Sequence, residues 1–444
     1  MTGLSAAAKA GTALVAGGVL VGVAFAGGLL DEARTVAPTP TEVAVTPAVQ
    51  PAACTGPLTV PVGALEGDDF ASEPTSRTRE LYGASAADGV EIADGLFGAS
   101  IERVEDGDIA SLAALTCVRP ATSQWLVGGS TAPGSSARLV LANPTRANVE
   151  ATVTLYGGAG EVADSRVLAI GAGEVQDLFL EGIADGIDSL VARIDATGGG
   201  VVATIQDSVL DGLQPAGTSW VASTSTLGTS LVIPSVGGGD LEASSSVRLL
   251  APDGATVSLT LVDEDGVVSW SGVSAIRLEP GVVTTVEVPS LPTGAVEIDS
   301  DAPLVAAAEL TVSRDSEIGA EGSLAYDRTW IGAQPLDGST ADAPDKGAYA
   351  PSDGGAIVAY TPVATTLTVV GDDGSQYAQV DANARTVTRI PLDEVPAGAR
   401  LILEGAQSWT LQITGQPGFI ASMQPTATRV IDVEVDAVDA PYVP

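Results

Sequence analysis

From residue 125 onward, apolar and polar positions alternate with a period of two, the spacing at which a strand presents its side chains to opposite faces. The pattern repeats. ARLVLANP at 137–144, SVRLLAP at 246–252 and AIVAYTP at 356–362 each read as a strand ended by a proline, and these prolines stand about 110 residues apart. Each is followed by a second strand and a turn: ATVTLYGGAGEV from Ala151, TVSLTLVDEDGVV from Thr256 and TTLTVVGDDGSQY from Thr365, with Leu155, Leu261 and Val369 in corresponding places. A third strand follows in GEVQDLFL, GVVTTVEV and ARTVTRIPL. Each copy ends in SLVARIDATGGGVVATI, GAVEIDSDAPLVAAAEL or ARLILEGAQSWTLQITG, read as a strand, a polar turn and a returning strand, hence a hairpin. Trp125, Trp220 and Trp330 mark the entrance to each copy and are expected to anchor its core.

Roughly five to seven short strands in each unit of about 105 residues predict an all-β chain of three tandem immunoglobulin-like or fibronectin-like β-sandwich repeats. A β-propeller-like arrangement is the alternative, although propellers typically take about four to eight blades of only some 40 to 50 residues each. The expected repeats are 125–215, 216–325 and 326–444, the last including an acidic strand, RVIDVEVDAV from Arg429, read as a sheet edge protected by its charges. Residues 54–124 match no copy and are expected to form a cap.

The N-terminus has a different pattern. GTALVAGGVLVGVAFAGGLL at 11–30 is uncharged and, at about 1.5 Å per residue, long enough as a helix to cross a hydrocarbon core of about 30 Å. Residues 1–34 are therefore expected to be a cytoplasmic stub and a single transmembrane helix, with Lys9 inside and Asp31 and Glu32 outside. A cleaved signal peptide ending near Ala24-Phe25-Ala26 is the alternative. TVAPTPTEVAVTPAVQPAA at 35–53 reads as a Pro/Thr-rich spacer. Both readings export the rest of the chain, where Cys54 and Cys117 would meet oxidising conditions and pair, stapling the cap.

Composition removes more functions than it adds. The chain has 52 Gly, 27 Pro and 45% hydrophobic residues, as short strands and many turns require. Its 56 acidic and 19 basic residues give a net charge of −37, which excludes a basic surface for nucleic acid. There is no histidine, so a Ser-His-Asp triad, a Cys-His pair and a His-bearing zinc site are all impossible within the chain. No GxxxxGK[ST] loop precedes a helix. The expectation is a protein that is not an enzyme, with no catalytic or cofactor-binding residues. Calcium is the one metal worth weighing, at Asp106/Asp108, Asp263/Asp265, Asp299/Asp301 and Asp372/Asp373, but none completes an EF-hand loop. DEDG at 263–266 aligns with GGAG at 157–160 and GDDG at 371–374. A turn that loses its acids in one copy reads as a hairpin turn and not as a shared metal site.

Cys54-Thr55-Gly56-Pro57, Cys117 and WLVGGSTAPGSSARLVLANPTRANVEATVTLYG from Trp125 resemble an uncharacterised actinobacterial family of membrane-anchored, exported β-rich proteins. The resemblance covers most of the chain after residue 50 and is most specific at Trp125–Ser130 and Arg138–Pro144. It implies location and architecture and carries no site residue. The combined expectation is a single-pass plasma-membrane protein whose C-terminal region lies outside the cell, serving as a non-catalytic structural or interaction protein of the envelope that binds a protein or glycan partner. The alternative is an accessory ligand-binding subunit of an envelope assembly or export system, with a pocket between two sandwiches.

Overall fold

The computed structural model of the chain describes residues 41–45, 50–61, 72–87, 90–93, 95, 97–212, 214–224, 227–315, 324–336, 346–406, 408–414, 418–427 and 433–437. The apolar run 11–30 lies outside them, and among the described residues no helix is long and apolar enough to cross a membrane. The fold is all-β, built from several sheets. Contacts divide the chain into two compact units, Met1–Pro47 with Asp432–Pro444, and Ala48–Ile431.

In the first unit the strand Thr41–Val45 pairs antiparallel with Val433–Ala437, placing Val43 opposite Val435. This corrects two expectations. Thr41–Val45 of the expected spacer is a strand, and Val433–Ala437 of the acidic tail is its partner in a two-stranded ribbon. TEVAV and VEVDA both alternate valine with other residues, a pattern suited to a pleated strand. Pro40 and Pro47 stand outside the paired segment, so every residue in it keeps its backbone donor.

Within Ala48–Ile431 one strand order recurs. In the first repeat the main strands are, in sequence, Ser123–Val127, Ser135–Ala142, Val149–Gly157, Arg166–Ile170, Val175–Phe179, Val191–Ala196, Val202–Asp211 and Gln214–Thr224. The fourth, third, sixth and first form one antiparallel sheet, and the fifth, second, seventh and eighth form another. The second repeat keeps both orders, from Gly228–Ile233 to Leu324–Gly332, with its sixth and seventh strands fused into the single strand Ala295–Asp315. The third keeps them from Lys346–Tyr349 to Ala421–Met423.

Two expectations change here. The closing pair of strands is not a hairpin, because the sixth pairs with the third and first in one sheet while the seventh pairs with the second and eighth in the other. Trp220 and Trp330 lie on eighth strands, whereas Trp125 lies on a first strand, so the three are not equivalent, although all are buried. The eighth strand of the first repeat therefore runs on to Thr224, past residue 215.

The cap is a shortened fourth copy. Ala84–Ala87, Val90–Ala93 and Ala53–Cys54 form a sheet in the order third, sixth, first, and Arg77–Tyr82, Gly98–Val104 and Ser111–Cys117 form one in the order second, seventh, eighth. The fourth and fifth strands are missing, which is why no alignment with the other copies is visible in the sequence. In all four copies the chain leaving the eighth strand crosses back to pair beside the first, as at Ser223 with Leu126, Gln334 with Val232, Thr426 with Gly347 and Val118 with Ala53.

Packing between copies closes on itself. Ala53 and Val90 of the cap meet Ala142 and Val202 of the first repeat. Leu250, Val283 and Val305 of the second repeat join the core of the first. Val232, Val262 and Ala295 meet Val358, Tyr360 and Val387 of the third. Ala348 and Tyr349 of the third meet Phe97, Ala99 and Ile101 of the cap, where the Tyr82 and Tyr349 rings stack at 5.9 Å. The second strands of the first and third repeats are buried on both faces, unlike Arg77–Tyr82 of the cap: Leu139 and Leu141 point into their own repeat, while Val140 and Ala142 point toward the cap. The four eighth strands touch in cyclic order, Ser111–Cys117 to Gln214–Thr224, to Leu324–Gly332, to Ala421–Met423 and back. Gly217 permits one of these approaches, since a Cβ there would stand 2.7 Å from the backbone nitrogen of Arg328 and its φ is +96°.

Cys54 on the cap's first strand and Cys117 at the end of its eighth are disulfide-bonded across a separation of 63 residues, and both are fully buried. In the chain-entropy account a loop of that length stabilises by roughly 4 kcal/mol. Replacing both cysteines with serine should lower the thermal midpoint of the full chain by several degrees. An unchanged midpoint by calorimetry would show that the staple does not restrain the cap.

Candidate functional site

Of the acidic pairs weighed for calcium, Asp263 and Asp373 serve their own turns, while others bond distant parts of the chain. Asp263 Oδ1 accepts the N–H groups of Asp265 and Gly266 at 2.9 and 3.0 Å, and Gly266 has a φ of +127°. DEDG therefore joins Ala255–Val262 to Val267–Val268 as a hairpin turn. Hydrogen bonding holds three other carboxyls below the usual carboxylate range: Asp106 through Thr75 and Ser76, Asp301 through the N–H of Thr256, and Asp373 through Ser375. Asp108 accepts the N–H of Ser72 at 2.7 Å, and Asp372 faces Arg400 at 3.4 Å. Asp299 lies in a strand, opposite Ser230 and Ser258. Among the described residues no group of three or more acidic or cysteine side chains is arranged to hold a metal.

Where the eighth strands meet there is a buried polar network that the sequence did not single out. Asp327 is fully buried, and its Oδ2 accepts the N–H of Leu112 from the cap at 3.1 Å and that of Ile420 from the third repeat at 2.9 Å. Asp207 of the first repeat accepts the Trp330 indole N–H at 2.9 Å. Arg328 binds Glu309 at 2.8 Å and lies 3.7 Å from Asp207. Arg248 donates to the carbonyls of Gly129 and Leu190 at 2.7 and 3.0 Å, with its guanidinium 4.6 Å over the Trp330 ring. Each of these contacts joins different copies or braces one that does. Asp327, Asp207 and Arg248 are buried and their partners lie in different copies, so the network is an architectural centre.

Among the described residues, an accessible cleft of about 530 Å³ lies between the first and second repeats, larger than the opening of about 230 Å³ between the cap and the third repeat at Arg103 and Asp353. One wall is the GGAG hairpin at 157–160 with Glu161, another is Gly186–Ser189, and Val283 and Thr285 of the second repeat complete it. The Gly157 carbonyl accepts the Val283 N–H at 3.0 Å, and the Ser189 and Thr285 hydroxyls are hydrogen-bonded at 3.1 Å. Behind the hairpin, Tyr156 packs on Trp125 at 5.6 Å; burial, then the nearby Glu161, push its hydroxyl pKa up. A Cβ added at Gly158 or Gly160 would meet nothing within 4 Å, which marks open space beside the hairpin.

The matching junction between the second and third repeats is filled. There the Asp263 carbonyl accepts the Val387 N–H at 2.9 Å, the counterpart of the Gly157 bond. Arg385 then binds Glu297, and Tyr360 donates to the same carboxylate. Arg385 has a φ of +53°, where the first two repeats place Gly173 and Gly281 at +75° and +69°. A left-handed non-glycine residue is disfavoured by about 1 kcal/mol, and its ion pair across the junction offsets that strain. The cleft thus exists at one of two equivalent junctions, and the only sequence signal for it was the loss of acids and side chains in GGAG.

A family model described as a family of unknown function, DUF5719, matches residues 75–361, which span most of the cap, the first two repeats and the start of the third. No curated protein matches the chain.

Two outcomes follow from these sites. Asp263→Ala removes the acceptor of both turn hydrogen bonds and should destabilise the chain by about 1 kcal/mol in denaturant titration, while Asp263→Asn should be near neutral and calcium should shift neither midpoint. A calcium shift lost in both variants would instead identify a private metal site. Burial pushes the Asp327 carboxyl up to about 7, so the folded chain keeps a proton that the unfolded chain releases near pH 4. This group's contribution to stability therefore falls as pH rises from about 4 to about 7. Relative to the native chain, Asp327→Asn should gain stability across that window and stay at a constant offset outside it; parallel stability-pH curves would contradict the assignment.

Proposed function

Because the chain belongs to DUF5719, a family of unknown function, its geometry is the guide, and we propose that it is a non-catalytic, membrane-anchored interaction protein of the cell envelope. The observation that carries this reading is the buried Cys54–Cys117 disulfide, since such bonds persist in oxidising compartments outside the cytoplasm. The apolar segment 11–30 supplies a single-pass anchor in the plasma membrane, with cleavage as a signal peptide the alternative. Each repeat, with two packed antiparallel sheets, suits an immunoglobulin-like or fibronectin-like sandwich. The cyclic order of four copies favours the propeller-like alternative as the description of how they assemble. A rigid body of this kind, acidic and without histidine, is suited to holding a protein or glycan partner and not to transforming it.

The cleft between the first and second repeats favours a second reading, an accessory ligand-binding subunit of an envelope assembly or export system. Both readings place residues after the anchor outside the cell. Protease treatment of intact cells should remove a C-terminal tag while leaving cytosolic markers whole, and the membrane fraction should hold the chain. Recovery of the tagged chain from the cytosol with two free thiols would overturn both.

A further inference from the structure

We propose that the cleft between the first and second repeats binds an amine-bearing or neutral oligosaccharide segment, not an anionic one; this rests on the ligand-binding reading above. Its lining, among the described residues, contains the carboxylates Glu161 and Asp188 and no lysine or arginine. Behind the lining, Arg193 acts with Glu161 on the Tyr156 hydroxyl, is held by Asp195 at 2.9 Å and lies over the Trp125 ring. An anionic ligand would meet the two lining carboxylates, and the one cation beside them, Arg193, is already paired with Asp195, whereas an ammonium would be attracted to both carboxylates.

Shape and surface narrow the class further. Val283, Ile187 and Val162 give an apolar floor, and the Ser189 and Thr285 hydroxyls stand at its edge within hydrogen-bond distance of each other. A pyranose ring matches this combination, with a C–H face to cover the floor and hydroxyls to exchange hydrogen bonds with the rim. The wall of glycines leaves backbone groups within reach, since Gly158 carries no side chain and stands exposed. The cleft is open to solvent, which suits a segment of a longer chain passing across it.

The other junction shows what the equivalent surface does when it is not a site. Asp263, Arg385, Glu297 and Tyr360 close it with an ion pair and hydrogen bonds. At the first junction Gly157 and Gly281 stand in place of Asp263 and Arg385, with Arg193 and Leu250 in place of Glu297 and Tyr360, and the fifth and sixth strands are joined by the longer segment 180–190, whose Gly186–Ser189 part forms a wall.

The test is calorimetric titration of the full chain in detergent with a glucosamine tetramer, an N-acetylglucosamine tetramer and an oligogalacturonate of equal length. The glucosamine oligomer should bind, the acetylated one more weakly, and the uronate not at all. Gly158→Trp, which fills open space, should abolish binding without lowering the thermal midpoint, and Glu161→Gln with Asp188→Asn should weaken the glucosamine oligomer at least tenfold while sparing the acetylated one. Binding that survives Gly158→Trp would overturn the location. Uronate binding that Gly158→Trp abolishes would overturn the ligand class and leave the ligand-binding reading standing. Absence of binding by all three sugars would overturn the inference.

Discussion

One buried carboxylate ties together parts of the chain more than three hundred residues apart. Asp327 sits on the last strand of the second repeat and receives N–H groups from the cap at Leu112 and from the third repeat at Ile420. A polar group without a partner in such a place would be expensive, so the three strands must arrive together or not at all. Asp207, Trp330 and Arg328 extend the requirement to the first repeat. Apolar packing between copies supplies area, but it is not directional; these hydrogen bonds fix which strand faces which. The closed order of four copies, and the cleft that one junction leaves open, depend on that alignment.

Much of the fold was legible because strands carry a period of two whatever they pack against. The second and third strands of each repeat, ARLVLANP and ATVTLYGG among them, and the DEDG, GGAG and GDDG turns lie where the pattern places them. The partner of a strand was less legible. SLVARIDATGGGVVATI carries turn residues between two apolar runs, and nothing local tells that its halves enter different sheets. The cap was hidden because the copy lost its fourth and fifth strands, and RTRELY pairs with ASIERV through charged residues that give weak alternation. The ribbon of Thr41–Val45 and Val433–Ala437 needed a partner at the far end of the sequence, which no local pattern names.

The site was less legible than the fold. The acidic turns attracted attention because clustered oxygens resemble cation ligands, yet their carboxylates satisfy neighbouring N–H groups. The informative copy was the one without acids. GGAG and DEDG occupy the same place and make the same backbone bond to the next repeat, through Gly157 to Val283 and Asp263 to Val387. The Arg385–Glu297 ion pair bridges the second junction, while the first, with glycine in place of Asp263 and Arg385, leaves about 530 Å³ open. An open cleft is thus made by subtraction at one of two equivalent junctions, which sequence repeats show only as a difference between copies.

The claim on which this account rests is that the cap is the fourth member of a closed set and not an appendage. Native-state hydrogen exchange on the full chain addresses it directly, because amides that open only with the whole assembly share one free energy of opening. The account predicts that the amides of Ser111–Cys117 are protected to the same degree as those of Gln214–Thr224, Leu324–Gly332 and Ala421–Met423. Exchange of the cap strand at a markedly lower free energy, with the other three unchanged, would contradict it.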